Sequence, residues 1–163
     1  MSRSPLVCDT TVLLYLGRIG CAHLIPALFA PVYVLELVVL ELDMGRLWRP
    51  DTFNPREWAW IQVVSVSQDA INALPPNRLG PGERSVIAYA RSQYGCVAGL
   101  DDLQARRLAE ELGLAVVGTL GILLRARRAG LILSVRPLLD ALIAEGFRID
   151  ADLYQEVLNL AGE

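Results

Sequence analysis

The stretch CVAGLDDLQARRLAEELGLAVVGT, residues 96–119, decides the fold. Cys96 to Leu100 is an unbroken apolar run between Gly95 and Asp101, the pattern of a short strand buried on both faces. Asp102 then offers its side chain as a cap, and Leu103 to Leu112 reads as a helix stopped by Gly113. Ala115 to Val117 is a second buried strand. Thr119 is placed to cap a further helix, Leu120 to Ala129, that ends at Gly130. Strands joined through a helix at this short spacing lie parallel, with the helix covering a face of the sheet.

The same alternation extends in both directions. Leu6 to Cys8 predicts a strand, and Val12 to Leu16 a helix capped by Asp9 or Thr10 and ended by Gly17 or Gly20. Ala22 to Phe29 predicts a short helix despite Pro26. Val32 to Val34 predicts a strand, and Leu35 to Met44 a helix stopped by Gly45. Ile61 to Val66 reads as an edge strand, followed by a short helix to Leu74. The helix after Pro81-Gly82 is the clearest, with Val86, Ile87, Ala90 and Tyr94 at helical spacing. Pro137 opens Leu138 to Glu145, and Asp150 caps a last helix through Leu160. Between Arg46 and Trp60 the periodicity lapses. Trp48, Trp58 and Trp60 crowd this loop, which reads as a packed flap or an interface patch. The prediction is a single α/β domain over residues 1–163, a three-layer α/β/α sandwich around a mostly parallel sheet.

Composition narrows the chemistry. Apolar residues make up 53% of the 163, which excludes a disordered chain. Leu24 to Leu40 is the longest apolar stretch, but Pro26, Pro31 and Glu36 interrupt it, so a membrane span is a poor reading. The start of the chain lacks the pattern of a signal peptide. All 15 basic residues are arginine. Without lysine there is no P-loop and no Schiff-base chemistry. Cys8, Cys21 and Cys96 are odd in number and far apart, which argues against a zinc site or disulfide framework and fits a reducing cytoplasm. His23 is the only histidine, and its place early in an apolar helix pattern points to a structural role.

The acidic residues carry the functional signal. Asp9 and the pair Asp101-Asp102 stand at strand-to-helix junctions, Glu83 lies in the first turn of a helix, and Glu41 lies on the helix after the second strand. Helix capping, or favourable charge at a helix start, is the plainer reading of each one singly. Together they suit one shared pocket, because strand ends in such a sheet converge on one rim. Carboxylates gathered there resist ionising unless a cation sits among them, and an all-oxygen set suits magnesium or manganese. Phosphodiester hydrolysis is the reaction this suggests. Glu36 and Glu41 lie roughly 140° apart on their helix, so one of them faces the pocket, and periodicity leaves the choice open. The net charge of −3 argues against broad nucleic-acid affinity. A cation among the carboxylates would make the remainder positive, leaving Arg106, Arg107 and Arg125 as candidate phosphate holders.

These motifs resemble a known family. Val7-Cys8-Asp9-Thr10-Thr11 is similar to the opening strand and acidic motif of PIN-domain nucleases, and Val38-Val39-Leu40-Glu41-Leu42 resembles their V-x-x-E-L helix. Gly82-Glu83-Arg84-Ser85-Val86-Ile87-Ala88 resembles their G-E-x-x-A-I helix. Asp101-Asp102-Leu103-Gln104-Ala105-Arg106, then Gly118-Thr119-Leu120-Gly121, resemble a prokaryotic PIN-like subgroup related to toxin–antitoxin ribonucleases. The resemblance implies a magnesium- or manganese-dependent endoribonuclease with Asp9, Glu41, Glu83 and Asp102 catalytic, and with Asp9, Glu83, Asp101 and Asp102 toward the metal. It favours Glu41 over Glu36, and Asp102 within the pair. Thr11 stands where asparagine or serine is commoner and supplies a hydroxyl toward RNA. An antitoxin and a second copy of the chain are the implied partners. The rival reading is a PIN-like module without turnover that acts through protein or nucleic-acid contacts. A phosphatase of another acidic-site class is weaker, for want of a lysine and a D-x-D pair.

Overall fold

The computed structural model describes residues 3–163. Five strands form one sheet in the order β3-β2-β1-β4-β5, and every pairing is parallel. They are β1 (Ser4–Cys8), β2 (Phe29–Leu35), β3 (Ile61–Val64), β4 (Val97–Gly99) and β5 (Val116–Val117). Strand β1 is central. Leu6, Val7 and Cys8 are wholly buried, as a strand covered on both faces requires. Its register pairs Leu6 with Val97 and Cys8 with Gly99. Strand β3 lies at the edge, with Gln62 and Val63 exposed.

Nine helices flank the sheet among the described residues. Helix α5 (Pro81–Ser92) lies against β1, β2 and β4, with α4 (Gln68–Asn72) and α6 (Leu103–Glu111) beside it. Helix α7 (Thr119–Arg128) packs with α1 (Thr10–Arg18), α2 (Leu24–Leu28) and α9 (Ala151–Ala161). Helix α3 (Glu36–Arg46) touches both α1 and α5, and α8 (Arg136–Ala144) precedes α9. The result is the expected three-layer α/β/α arrangement. No described helix is long and apolar enough to cross a membrane.

Several local expectations change: Tyr94 lies beyond α5 and is fully exposed, Leu35 ends β2 instead of starting α3, and β3 stops at Val64 instead of Val66. Gly45 does not stop α3 but lies inside it. Phe29 belongs to β2 rather than to the preceding helix, so that strand begins three residues before Val32 and runs through Ala30 and Pro31. Strand pairing of Phe29 with Ser4 overrides the local apolar run there. Thr119 is the first residue of α7 rather than its cap, and its cap comes from elsewhere in the chain.

The strand order reverses its direction of travel between β1 and β4. Ligand crevices in open α/β sheets form at such a switch point, beyond the carboxyl ends of the strands. The backbone N–H of Asp9 donates to the Gly99 carbonyl at 2.9 Å, so the first acidic residue stands on this seam.

Candidate functional site

Asp9 follows β1 and sits at the cap position of α1, yet its side chain makes no capping hydrogen bond. It is only 5% exposed, and its buried Oδ1 has no hydrogen-bond partner. Burial pushes its carboxyl up to about 7, partly offset by the nearby Thr10 backbone amide and reinforced by the charges of Glu83, Glu41 and Asp101. A capping aspartate accepts from the amides of the helix it starts; Asp9 Oδ1, buried at the rim, accepts from no described residue.

Glu41 comes to the rim from α3. The Thr10 hydroxyl donates to its Oε2 at 2.5 Å. The carboxylate also fills the space a side chain on Gly82 would need, since a methyl built there would overlap Oε1. Glu36, at the start of the same helix, lies instead beside Val39, Leu40, Arg56 and Val63. Asp43 is bound by Arg46 at 2.9 Å and by Arg56 at 2.7 Å. Of the acids on α3, the structure thus brings Glu41 toward Thr10 and Gly82.

Glu83 lies in the first turn of α5 and accepts a long hydrogen bond, 3.4 Å, from the Gly80 amide. Burial, then the charges of Asp102 and Glu41, raise its carboxyl above the usual range, against the lowering effect of that amide. The two adjacent aspartates divide their work. Asp101 accepts from the Thr119 amide on Oδ1 and from the Thr119 hydroxyl on Oδ2, both at 2.7 Å. Asp102 caps α6 by accepting from the Ala105 amide on Oδ2 at 2.9 Å. Asp101 acts electrostatically on Asp9, Asp102 on Glu83, and Glu41 on both. Charges from four separate parts of the chain therefore meet at one rim.

Among the described residues no three His, Cys, Asp or Glu side chains stand close enough to clasp one ion directly. The donors are nevertheless all carboxylate oxygens, one of them buried and unpartnered. Magnesium is commonly held by one or two carboxylates with water completing its shell, and this set fits such a group.

The remaining candidates separate. The Thr11 hydroxyl is buried without a partner. A methyl on Gly118 would lie 2.8 Å from both Arg106 Nη1 and Asp101 Oδ1, so Arg106 reaches the rim. Arg107 is exposed. Arg125 does not join the site, contrary to expectation. It lies in the last turn of α7, and its guanidinium covers the Phe29 ring at 5.1 Å, at the other end of the sheet. His23 is exposed beside a cavity of about 250 Å³ near Phe53 and Trp58. Sequence reasoning missed Thr10 as a partner of Glu41, and Gly82 and Gly118 as space-makers. A glycine within a first helical turn, where no unusual backbone angle is needed, was the available signal.

A family model described as a PIN domain, DUF3368, matches residues 5–163. The chain belongs to the PIN-domain family. Its fold is of nuclease type, and PIN domains are generally dependent on a divalent metal. No curated relative matches the sequence.

Proposed function

We propose that this PIN domain is a magnesium- or manganese-dependent endoribonuclease, of the kind that serves as the toxin of a toxin–antitoxin pair. The observation that carries the reading is Asp9: a buried, uncapped carboxylate on the β1/β4 seam, surrounded by other acids. Asp9, Glu83, Asp101 and Asp102 would hold the cation, some of them through its waters, with Glu41 close by. A divalent ion there supplies Lewis acidity toward the phosphodiester and offsets carboxylate repulsion. Glu41 is held at Oε2 by Thr10, and no described residue donates a hydrogen bond to its Oε1. That oxygen orients the attacking water and accepts its proton. Water adds across the phosphorus–oxygen bond, and the leaving 3′ oxygen takes up a proton. The products are a 5′-phosphate and a 3′-hydroxyl. Single-stranded RNA is the favoured substrate because its backbone can be splayed into a cleft. The three free cysteines fit a cytoplasmic setting.

The test is cleavage of single-stranded RNA with added manganese, with product ends identified and Asp9→Asn as control. Metal-dependent cleavage that disappears in the variant supports the proposal. Equal cleavage by both proteins means a contaminating nuclease and sinks the assignment.

A second reading, an interaction module without turnover, draws on the exposed apolar residues Leu40, Met44, Leu47 and Trp48. Undetectable cleavage together with a stable complex formed through these residues would favour it. An antitoxin, a second copy of the chain and RNA are the partners proposed for the two readings.

A further inference from the structure

We propose that Arg106 is the phosphate-binding side chain of the cleft, and that Gly118 is glycine in order to admit it. This rests on the nuclease reading and gives that site its anion contact. Arg106 lies one turn beyond Asp102 on α6, and its Nη1 reaches across to the end of β5. A methyl on Gly118 would lie 2.8 Å from that nitrogen, 2.8 Å from Asp101 Oδ1 and 3.2 Å from the Leu100 carbonyl oxygen. These atoms belong to the carboxyl ends of β4 and β5, the same rim as Asp9.

Backbone conformation does not require glycine here. Gly118 has φ −107 and ψ −177, which any residue adopts. The constraint is space, and a guanidinium is among the atoms that occupy it. Like most of the arginines, Arg106 is in none of the ion pairs among the described residues; what sets it apart is that its Nη1 lies beside Gly118 and Asp101, at the carboxyl ends of β4 and β5. It is only half-exposed. Its guanidinium donors are free to bind an anion that enters the cleft. Its planar fork of donors matches phosphate oxygens two at a time. Asp101 does not complete it, since the two side chains form no ion pair and the Asp101 oxygens are turned to Thr119. Carboxylates line the rest of the rim, so Arg106 marks the side on which a phosphodiester lies. Arg107 is one residue on, roughly 100° around the helix, and it serves as the internal control.

The experiment titrates orthophosphate and, separately, adenosine 5′-monophosphate into the full-length protein by NMR, with and without calcium. Wild type is compared with Arg106→Ala, Arg106→Lys, Gly118→Ala and Arg107→Ala, with thermal melts of each. Binding is expected to fall about tenfold or more in Arg106→Ala, the equivalent of one charge-assisted hydrogen bond. Gly118→Ala should weaken it comparably and lower the melting temperature as well, because the methyl also meets Asp101 Oδ1 and the Leu100 carbonyl, so Arg106→Ala and Arg106→Lys carry the test, with Arg106→Lys recovering part of the binding. Arg107→Ala should stay within about twofold, as a solvated surface charge does. Equal binding by wild type and Arg106→Ala, or no binding by wild type, overturns the proposal. Because no RNA is cleaved in this assay, phosphate binding lost with Arg106 alongside absent ribonuclease activity would fault the nuclease reading alone. Cleavage that needs Asp9 but leaves phosphate binding indifferent to Arg106 would fault this proposal alone.

Discussion

Asp9 sets a pH dependence whose sign follows from its environment. Its carboxyl rises from 3.8 in the unfolded chain to about 7 in the folded protein, chiefly through burial. A raised carboxyl favours the folded state below the unfolded value, and that advantage is lost as pH climbs through about 7. The metal-free protein should therefore lose stability between about pH 4 and pH 8, by on the order of a few kcal/mol. Glu83, shifted the same way, adds to the trend. Asp9→Asn should flatten the profile and leave the variant the more stable of the two at pH 8. Manganese should restore wild-type stability but not act on the variant. Urea denaturation at several pH values reads all three, and a wild-type profile that rises with pH contradicts the argument. Thr10 and Gly82 supply a second test at this scale, because they seat Glu41 by a hydrogen bond and by empty space. Gly82→Ala meets only the flexible end of Glu41, so the helix gains up to about 1 kcal/mol while the carboxylate is displaced. Manganese affinity measured by calorimetry should fall several-fold in Gly82→Ala and in Thr10→Val, and recover in Thr10→Ser. Unchanged affinity in both of the first two would remove the seat from the site.

At the level of elements, local signals were legible and distant ones were not. Ser67, Asp102 and Asp150 cap the helices that follow them, each accepting from an amide three residues on, which is the spacing a sequence reader looks for. Helices α7 and α8 are capped from afar instead. Asp101 serves α7 across 18 residues, and Glu163 accepts from the Val135 amide across 28. No window of sequence holds both partners, so Thr119 was read as a cap when it is the residue being capped. The same fact separates the two aspartates. Asp101→Ala should cost about 1–2 kcal/mol through α7, and Asp102→Ala about 1 kcal/mol through α6. If Asp102 is the freer metal ligand, its loss should reduce manganese affinity more than its effect on stability implies. Chemical denaturation paired with manganese titration of the two variants checks this, and a greater affinity loss in Asp101→Ala reverses the assignment.

The whole molecule explains why the acidic rim was foreseeable and why its cations were not. Parallel strands end on one side, so acids at strand ends were bound to converge once the sheet order placed β1 beside β4. Arginines on helices carry no such rule: Arg106 lies near the start of its helix and reaches the rim, while Arg125 lies near the end of its own and covers Phe29. The molecule also leaves one face uncovered. Leu37, Leu40, Met44 and Leu47 recur at three- and four-residue spacing along α3, and Trp48 follows at 89% exposure. This spacing is the pattern of a helix face able to pack against another helix. We propose a second copy as its occupant, since a two-fold axis would set each such face against its twin, residue i of one copy on residue j of the other and the reverse. Leu40 and Met44 are 56% and 60% exposed, so Leu40→Asp combined with Met44→Asp should change monomer stability by only about 0.5 kcal/mol per site. Sedimentation of wild type should give twice the mass of one chain, and the double variant the mass of one chain with an unaltered thermal melt when both are compared at low concentration. A wild-type protein that sediments as a single chain at every concentration, or a double variant that still pairs, would take α3 out of the interface and leave its apolar seam to a different protein.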